Sequence, residues 1–168
     1  MSQVFDKVVN VNEGDGIVPS GAMLRDGDYI QIVASGQIWA GVWFTPTNGP
    51  GGWNNLAMDS KFPMPRAHAY SLLGTVDAAY FEIGWGVNQF YRRADGDATK
   101  ESELMLTIND DIHGNGSGGF TVHVQVYRND AATAAVVNQS DLLQRLQEST
   151  GGNLSLIAPT PIPPQRQS

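Results

Sequence analysis

The sequence predicts an all-β protein, a jelly-roll-like β-sandwich, followed by a short helix and a proline-rich tail. The 19 glycines and 9 prolines among 168 residues favour many turns. Short segments in which apolar and polar residues alternate lie between these turns, as in the run from Phe120 to Val126, where every second residue is apolar. We therefore expect a sandwich domain over residues 1–130 and a separate C-terminal region over residues 131–168.

The first half of the chain contains two predicted strands and a long loop. Residues 3–11 alternate loosely, which is typical of an edge strand, and residues 29–44 alternate with period two, with bends expected at Gly36 and Gly41. Residues 45–66 contain four prolines and show little periodicity. This composition predicts a surface loop, of a length that is more often functional than idle.

The second half contains four further predicted strands. The segments AYSLLGTV and AYFEIGW follow each other around a turn expected at residues 74–77, and a polar hairpin or loop comes next. The segments ELMLTIND and FTVHVQVY then flank a glycine-rich loop. Because Trp39, Trp43 and Trp85 lie within strand-like segments, we expect these three side chains in the core.

The C-terminal region has a different character. Ser140 or Asp141 is suited to cap a helix. Three leucines between positions 142 and 146, followed by two glycines, predict that this helix is short and amphipathic. The final segment, APTPIPPQRQS, predicts an extended proline-rich tail.

Charge and cysteine content exclude several function classes. A formal net charge of −7 and the lack of a basic patch argue against binding to nucleic acid or to an anionic membrane surface. The lack of cysteine excludes disulfides and thiolate metal sites. Because the N-terminus lacks the pattern of a signal peptide and no apolar run is long enough for membrane insertion, we expect a cytoplasmic protein, or one released from the cell without a classical signal.

The glycine-rich loop NDDIHGNGSGGF, residues 109–120, is the most distinctive segment. Its glycines satisfy the G-x-G-x-x-G spacing, but a dinucleotide site needs a helix after the glycines, and a strand is expected here. An EF-hand calcium loop requires a glutamate where this sequence has Val122. Neither of these two motifs is therefore predicted.

Two interpretations of the loop stay open on its residues alone. Side-chain oxygens of Asp110, Asp111 and Asn115, together with main-chain carbonyls, are suited to surround a hard cation such as Ca²⁺. Alternatively, Asn, Asp and Gly are simply the residues that hairpin loops favour. The composition of the loop does not decide between a cation site and an ordinary turn.

A resemblance to a known family bears on this choice. The order of the segments LRDGDYIQIVASGQIW, GPGG, AYSLLGTV, AYFEIG, ELMLTINDD and GNGSGGFTVHV resembles that of the LecA-type family of bacterial calcium-dependent galactose-binding lectins, over about residues 21–127. The G-D-x-I-x-I start and the N-D and N-x-S-G-x-F pieces at the end are its most specific parts. The resemblance implies a jelly-roll β-sandwich that holds one calcium ion at its apex, where vicinal hydroxyls of a sugar complete the coordination of the metal.

The metal ligands that the resemblance implies come from the glycine-rich loop and from one main-chain carbonyl of an earlier loop. They are Asp110, Asn115, the carbonyl of Trp39 or Ala40, and Asp111 as a substitute ligand. The substitute is needed because Gly116 stands where the family has a second asparagine-type ligand. Gly116 therefore removes one side-chain oxygen from the implied site.

The sugar-binding residues that the resemblance implies are Asp110 and Asn115 on the glycine-rich loop and polar side chains of the long loop. The candidates on and beside the long loop are Trp53, Asn54, Asn55 and His68. Trp53 is suited to stack on the C–H face of a sugar, and ordinary anchoring of the loop is the alternative for this residue. A single site of this kind binds weakly, and a homo-oligomer would compensate through avidity.

The sequence predicts a binding protein and not an enzyme. Ser117 lacks the context of a nucleophile elbow, and the three histidines are scattered without the spacing of a metal motif. We expect a calcium-dependent, galactoside-binding lectin with a carbohydrate as its partner. The alternative is a structural or oligomerisation β-sandwich that has lost calcium and binds a protein partner, and Gly116 is the feature that favours it.

Overall fold

The computed structural model describes residues 1–129, and the regular elements in this range are eight β-strands. They are β1 (Ser2–Asn12), β2 (Val18–Leu24), β3 (Tyr29–Trp39), β4 (Leu72–Val76), β5 (Ala79–Glu82), β6 (Gly86–Phe90), β7 (Ser102–Ile108) and β8 (Ser117–Arg128). The predicted C-terminal helix and proline-rich tail lie outside the described residues. Within these residues, no element is a helix of the length and apolarity that crossing a membrane requires.

The strands form two four-stranded antiparallel sheets. One sheet has the order β1-β8-β3-β6 and the other has the order β2-β7-β4-β5. Among the strands of the described residues, β1 pairs only with β8, so residues 2–12 form an edge strand, as the loose alternation predicts. The prediction of an all-β sandwich is confirmed.

The core lies between the two sheets and contains one face of each central strand. In β8 every second residue from Phe120 to Val126 is buried, and Ile30 and Ile32 of β3 lie in the same cluster. Leu104 and Leu106 of β7 join this cluster. Because full burial of one such side chain contributes roughly 1.5–3 kcal/mol, the alternation along these central strands fixes which face of each strand turns inward.

Two strands, β2 and β6, are not predicted by the alternation of apolar and polar residues. In β2 the buried positions are Ser20, Ala22 and Leu24, so two of the three inward residues are small or polar and the alternation is hidden. Ser20 fits the core because its hydroxyl donates to the carbonyl of Leu104 at 2.6 Å. The other strand, β6, extends into the segment expected to be a polar hairpin or loop, which begins at Asn88, and its residues are mostly exposed.

The turn predicted at residues 74–77 is displaced. Gly74 lies inside β4, and the hairpin turn consists of Asp77 and Ala78, both with positive φ (49° and 63°). A Cβ atom at Gly74 would lie 2.4 Å from the ring of Phe81. The glycine is therefore required by the packing of Phe81 and not by a turn.

This hairpin turn suggests a stabilising substitution. Two positive φ values are the geometry of a type I′ turn, in which glycine is preferred at the second position and alanine is strained. We expect Ala78→Gly to raise the free energy of unfolding by about 1 kcal/mol, measured by urea denaturation. Ala79→Gly, one residue into β5, is the matched control and should be destabilising by about 0.5–1 kcal/mol. A lower midpoint for Ala78→Gly would contradict the turn geometry.

Two of the three tryptophans expected in the core are on the surface. Trp43 is 88% exposed, because β3 ends at Trp39 and the segment after it is a loop. Trp85 is 62% exposed and follows β5, where its indole ring lies against the backbone of Gly49 and Gly51. Trp39 is partly buried. The core prediction is therefore wrong for Trp43 and Trp85.

Candidate functional site

The glycine-rich loop joins β7 to β8 at one end of the sandwich, and we call residues 109–116 the tip loop. The residue that follows it, Ser117, pairs with Trp39 at the end of β3, so the segment after β3 lies beside the tip loop. The turn between β1 and β2 lies on its other side, where the main-chain N–H of Glu13 donates to the carbonyl of Gly118 at 3.1 Å. Three chain segments therefore meet at this end.

Asn109 fastens the long loop to the tip loop. Its buried side-chain Oδ1 accepts from the N–H of Met64 at 3.0 Å, while its Nδ2 donates to the carbonyls of Met64 at 3.1 Å and His68 at 2.9 Å. Its main-chain carbonyl accepts from the N–H of Tyr70 at 2.8 Å. Both polar atoms of this amide are used within the protein, so Asn109 holds the long loop against the tip loop.

Asp110 is the central feature of the site. The residue is only 2% exposed, and Oδ1 accepts from the N–H of Ile112 at 3.1 Å, whereas Oδ2 is buried and has no hydrogen-bond partner among the described residues. Its pKa is raised to about 6, chiefly by burial; the Ile112 amide and the nearby His113 oppose this rise, and the charges of Asp111 and Glu13 contribute to it. A buried carboxylate oxygen without a donor is unfavourable, and a bound cation would relieve it.

Glu13 is a second buried carboxylate beside the tip loop, and it is not among the residues predicted from the sequence. It is 2% exposed, its Oε1 accepts from the N–H of Gly114 at 3.0 Å, and its main-chain oxygen lies 3.2 Å from Nδ1 of His113. The ion pairs formed within residues 1–129 include neither Glu13 nor Asp110. Nothing in the segment NEGDG distinguishes Glu13 from a solvated turn residue; only the fold buries it.

Two glycines bring the segment after β3 into contact with the tip loop. A Cβ atom at Gly116 would lie 1.8 Å from the main-chain oxygen of Trp39, so this carbonyl faces the tip loop closely. A Cβ atom at Gly41 would lie 2.3 Å from Oδ1 of Asn115, so the Asn115 amide rests on the Gly41 backbone. Two main-chain carbonyls, those of Trp39 and Ala40, are implied as alternative ligands. The Trp39 carbonyl borders the tip loop. Ala40 is a buried residue of the core.

These groups provide oxygen atoms of three kinds. Asp110 contributes a free carboxylate oxygen, Asn115 an amide oxygen and Trp39 a main-chain carbonyl, while Asp111 is exposed at the surface of the loop. The described residues contain no cluster of three or more Asp, Glu or His side chains placed to hold a metal ion. A cation here would thus rely on neutral oxygens besides Asp110, which suits calcium better than zinc.

The long-loop candidates lie in different surroundings. Trp53 is partly buried and stacks on Tyr70, with ring centroids 6.2 Å apart and planes at 22°, which is the geometry of a loop anchor. Asn54 is exposed. The imidazole of His68 lies 2.8 Å from a carboxylate oxygen of Glu82, so this side chain is already paired.

Tyr70 connects the long loop to the tip loop. Tyr70 is buried, and its backbone has a positive φ of 65°. The pKa of its hydroxyl is raised, mainly by burial and in addition by the charges of Asp110 and Asp111. Trp53, Tyr70 and Asp110 therefore follow one another from the long loop to the tip loop. The structure brings Asp110, Asn115 and Trp39 to one end of the sandwich, with Trp53 behind them.

Comparison with known proteins agrees with the fold. No protein-family model matches the chain, and no curated protein matches it. Among solved structures, the N-terminal domain of EclA, a PllA-like lectin, superposes with a TM-score of 0.52 at 20% sequence identity, covering 74% of this chain and 98% of that one. The chain has a lectin-like fold. At this level of identity the similarity concerns the architecture of the sandwich.

Proposed function

We propose that this protein is a lectin that binds galactose or a related sugar through a calcium ion held at the tip loop. The single observation that carries the proposal is the Oδ2 atom of Asp110, which is buried at the end of a lectin-like sandwich without a hydrogen-bond partner among residues 1–129. An isolated buried charge is unfavourable unless it is paired or coordinates a metal. The position of Asp110 supports a cation as its missing partner.

The residues that would hold the ion are Asp110, Asn115 and the carbonyl of Trp39, with Asp111 at the surface of the same loop. The nearby carboxylate of Glu13, which forms no ion pair within residues 1–129, adds negative charge beside the tip loop. Calcium accepts six to eight oxygen ligands in flexible geometry, so a protein that supplies fewer leaves places for the hydroxyls of a sugar. When bound, the ion supplies the attraction for two adjacent hydroxyl oxygens.

We further propose that the protein binds its ligand without transforming it. Two of the three histidines pair with carboxylates, His68 with Glu82 at 2.8 Å and His123 with Asp6 at 2.6 Å, and within the described residues neither imidazole is hydrogen-bonded to a serine hydroxyl. These pairs lack the linked nucleophile and base that hydrolysis by a serine would need. Binding through the tip loop uses none of them.

Calorimetric titration tests the proposed function. Chelator-treated protein should release or absorb heat on addition of calcium, and its melting temperature should rise, since a ligand that binds only the folded state stabilises it. Methyl β-galactoside should then bind only when calcium is present, and a glycan array with and without chelator should identify the preferred sugar. Failure of both calcium and sugar to bind would refute the proposal.

The alternative function is a structural or oligomerisation domain that has lost the ion. Gly116, which has no side chain, and the lack of an acidic cluster in the described residues favour it. On this alternative, calcium produces no shift in the melting temperature and the protein associates through a surface that does not depend on the tip loop. The same titration therefore separates the two functions.

A charge-removing substitution at Glu13 offers a second test. Glu13→Gln keeps an oxygen to accept from the Gly114 N–H but removes the negative charge, so we expect the calcium dissociation constant to rise about tenfold with little change in folding. Asp97→Asn is the matched control, because the loop containing Asp97 precedes β7 whereas the tip loop follows that strand. Equal calcium affinity in the Glu13 variant and the wild-type protein would show that its charge does not reach the ion.

A further inference from the structure

The sequence contains the dipeptide Asn-Gly twice, at Asn48–Gly49 and at Asn115–Gly116. A side-chain amide in this context is easily lost, because glycine has no side chain to hinder attack by its own backbone nitrogen on the preceding amide carbon. The attack is intramolecular, so its rate depends on how readily the two groups come into contact. The fold gives the two dipeptides opposite surroundings and therefore decides which of them reacts.

Asn48 is held by several contacts. The residue is 4% exposed, and its main-chain N–H and carbonyl are both hydrogen-bonded to Ile38, at 2.8 and 2.9 Å. Its Nδ2 atom donates to the carbonyl of Pro46 at 2.9 Å. A Cβ atom at Gly49 would lie 2.4 Å from the ring of Trp85, so the glycine is also closely packed. Movement of this amide toward the Gly49 nitrogen would break these contacts.

Asn115 lacks such restraints. The residue is exposed, and the hydrogen bonds formed within residues 1–129 include neither its side-chain amide nor the N–H of Gly116. The amide rests on the Gly41 backbone, but the preceding residue, Gly114, is so open that a Cβ atom there would meet nothing within 4 Å. Local rearrangement of this dipeptide therefore breaks fewer contacts than rearrangement at Asn48.

We propose that Asn115 is a site of spontaneous deamidation, which converts an amide of the tip loop into an acid without an enzyme. The main-chain nitrogen of Gly116 forms a bond to Cγ of Asn115, the bond from Cγ to Nδ2 breaks, and the proton of the attacking N–H leaves with Nδ2 as ammonia. Water then opens the resulting cyclic imide. Opening at Cγ gives aspartate, whereas opening at the main-chain carbonyl carbon gives isoaspartate, in which the main chain runs through Cβ and Cγ.

The isoaspartate product does not fit the tip loop. It adds an atom to the main chain between positions 115 and 116, where Gly116 faces the Trp39 oxygen and Asn115 rests on Gly41 without room for a Cβ atom. The side-chain carbonyl of Asn115 also becomes part of the main chain. On the basis of the proposed function, we expect each molecule that carries isoaspartate to lose its calcium site, so that deamidation limits the lifetime of the binding activity.

Peptide mapping by mass spectrometry tests the modification. Chelator-treated protein is incubated at neutral pH in water labelled with heavy oxygen, once in the native state and once in urea. In the native state, label should enter position 115 at least about tenfold faster than position 48, because opening the contacts of Asn48 adds to the barrier. In urea the two positions should react at similar rates. Label absent from position 115 of the native protein, or equal native rates at the two positions, would refute the inference.

An Asn115→Gln variant is the control for the chemistry. Glutamine keeps the amide but must form a larger ring, so label should not enter position 115 of this variant on the same timescale. Incorporation at an unchanged rate would show that the backbone nitrogen of Gly116 is not the attacking group, which also overturns the inference. The melting temperature of the variant, compared with that of the wild-type protein, shows that the native fold is retained.

The effect on calcium is measured on aged wild-type protein. Calorimetric capacity for calcium should fall in proportion to the fraction of isoaspartate, whereas protein stored at mildly acidic pH, where the attack is slow, should keep its capacity. Full capacity in protein rich in isoaspartate would overturn the expected effect on the site. Absence of calcium binding in fresh protein would instead refute the proposed function, while the label at position 115 would still decide the modification.

Discussion

An Asp110→Asn variant is expected to lose calcium binding and yet to be more stable than the wild-type protein in the absence of calcium at pH 8. Asparagine keeps the oxygen that accepts from the Ile112 N–H. It removes the charge of the second oxygen, which is buried without a partner among the described residues. The substitution therefore relieves an unfavourable burial and deletes the charged ligand of the proposed site at the same time.

The pH dependence of this gain follows from the pKa of Asp110. Burial raises that pKa from the ordinary value of 3.8 to about 6. Since the pKa of the folded state is the higher one, the contribution of Asp110 to stability is full below about pH 4 and is lost as the pH rises through about 6. At pH 8 the ionised carboxylate destabilises the calcium-free fold by on the order of 3 kcal/mol relative to low pH.

Urea unfolding in a chelator at pH 4.5 and pH 8 measures this effect. The Asp110→Asn variant should exceed the wild-type protein by on the order of 2 kcal/mol at pH 8, and the difference should nearly vanish at pH 4.5. Addition of calcium at pH 8 should stabilise the wild-type protein alone. Lower stability of the variant at pH 8 in chelator would show that the carboxylate has a favourable partner, and calcium binding by the variant would place the ion elsewhere.

Much of the fold could be predicted from the sequence because the central strands are regular. In β8 every inward position from Phe120 to Val126 carries a branched or aromatic apolar residue, and in β3 the buried positions are Ile30, Ile32, Ala34 and Ile38, so the period of two is plain. The pattern failed where inward positions are small, as at Ser20 of β2, and where apolar residues continue past the end of a strand, as at Trp43. Periodicity identifies a strand but does not show where pairing with the next strand stops.

For the candidate site, the sequence could indicate only residues that lie together in the chain. Asp110 and Asn115 stand in one loop, and their residue types already favour a cation. Glu13 reaches the same place from a turn about one hundred residues earlier, and the role of Asn109 as an anchor depends on Met64 and His68. Contacts of this kind arise from the pairing of β1 with β8 and from the path of the long loop, which no local pattern encodes.

A Gly116→Asn variant, which introduces the amide that the resemblance to LecA-type lectins implies at this position, should damage the protein instead of improving its affinity for calcium. A Cβ atom at position 116 would lie 1.8 Å from the oxygen of Trp39 and 2.8 Å from the nitrogen of Gly41. Both are backbone atoms of the segment after β3, so neither can turn aside as a flexible side chain would. The tip loop must move away from that segment to make room.

This movement should lower both the stability of the fold and the affinity of the proposed site for calcium. We expect Gly116→Asn to lower the free energy of unfolding by on the order of 3 kcal/mol and the melting temperature by roughly 10 °C. The proposed calcium site should weaken as well, because the carbonyl of Trp39 and the amide of Asn115 would no longer lie side by side.

Gly114→Asn is the matched control for this prediction. Gly114 has a positive φ of 87°, a conformation that asparagine tolerates better than most residues, and a Cβ atom there would meet nothing within 4 Å. The same substitution two residues away should therefore be destabilising by only about 1 kcal/mol. Equal melting temperatures for the two variants would mean that the Trp39 carbonyl does not press on Gly116, and tighter calcium binding by Gly116→Asn would mean that the glycine is a lost ligand and not a steric requirement.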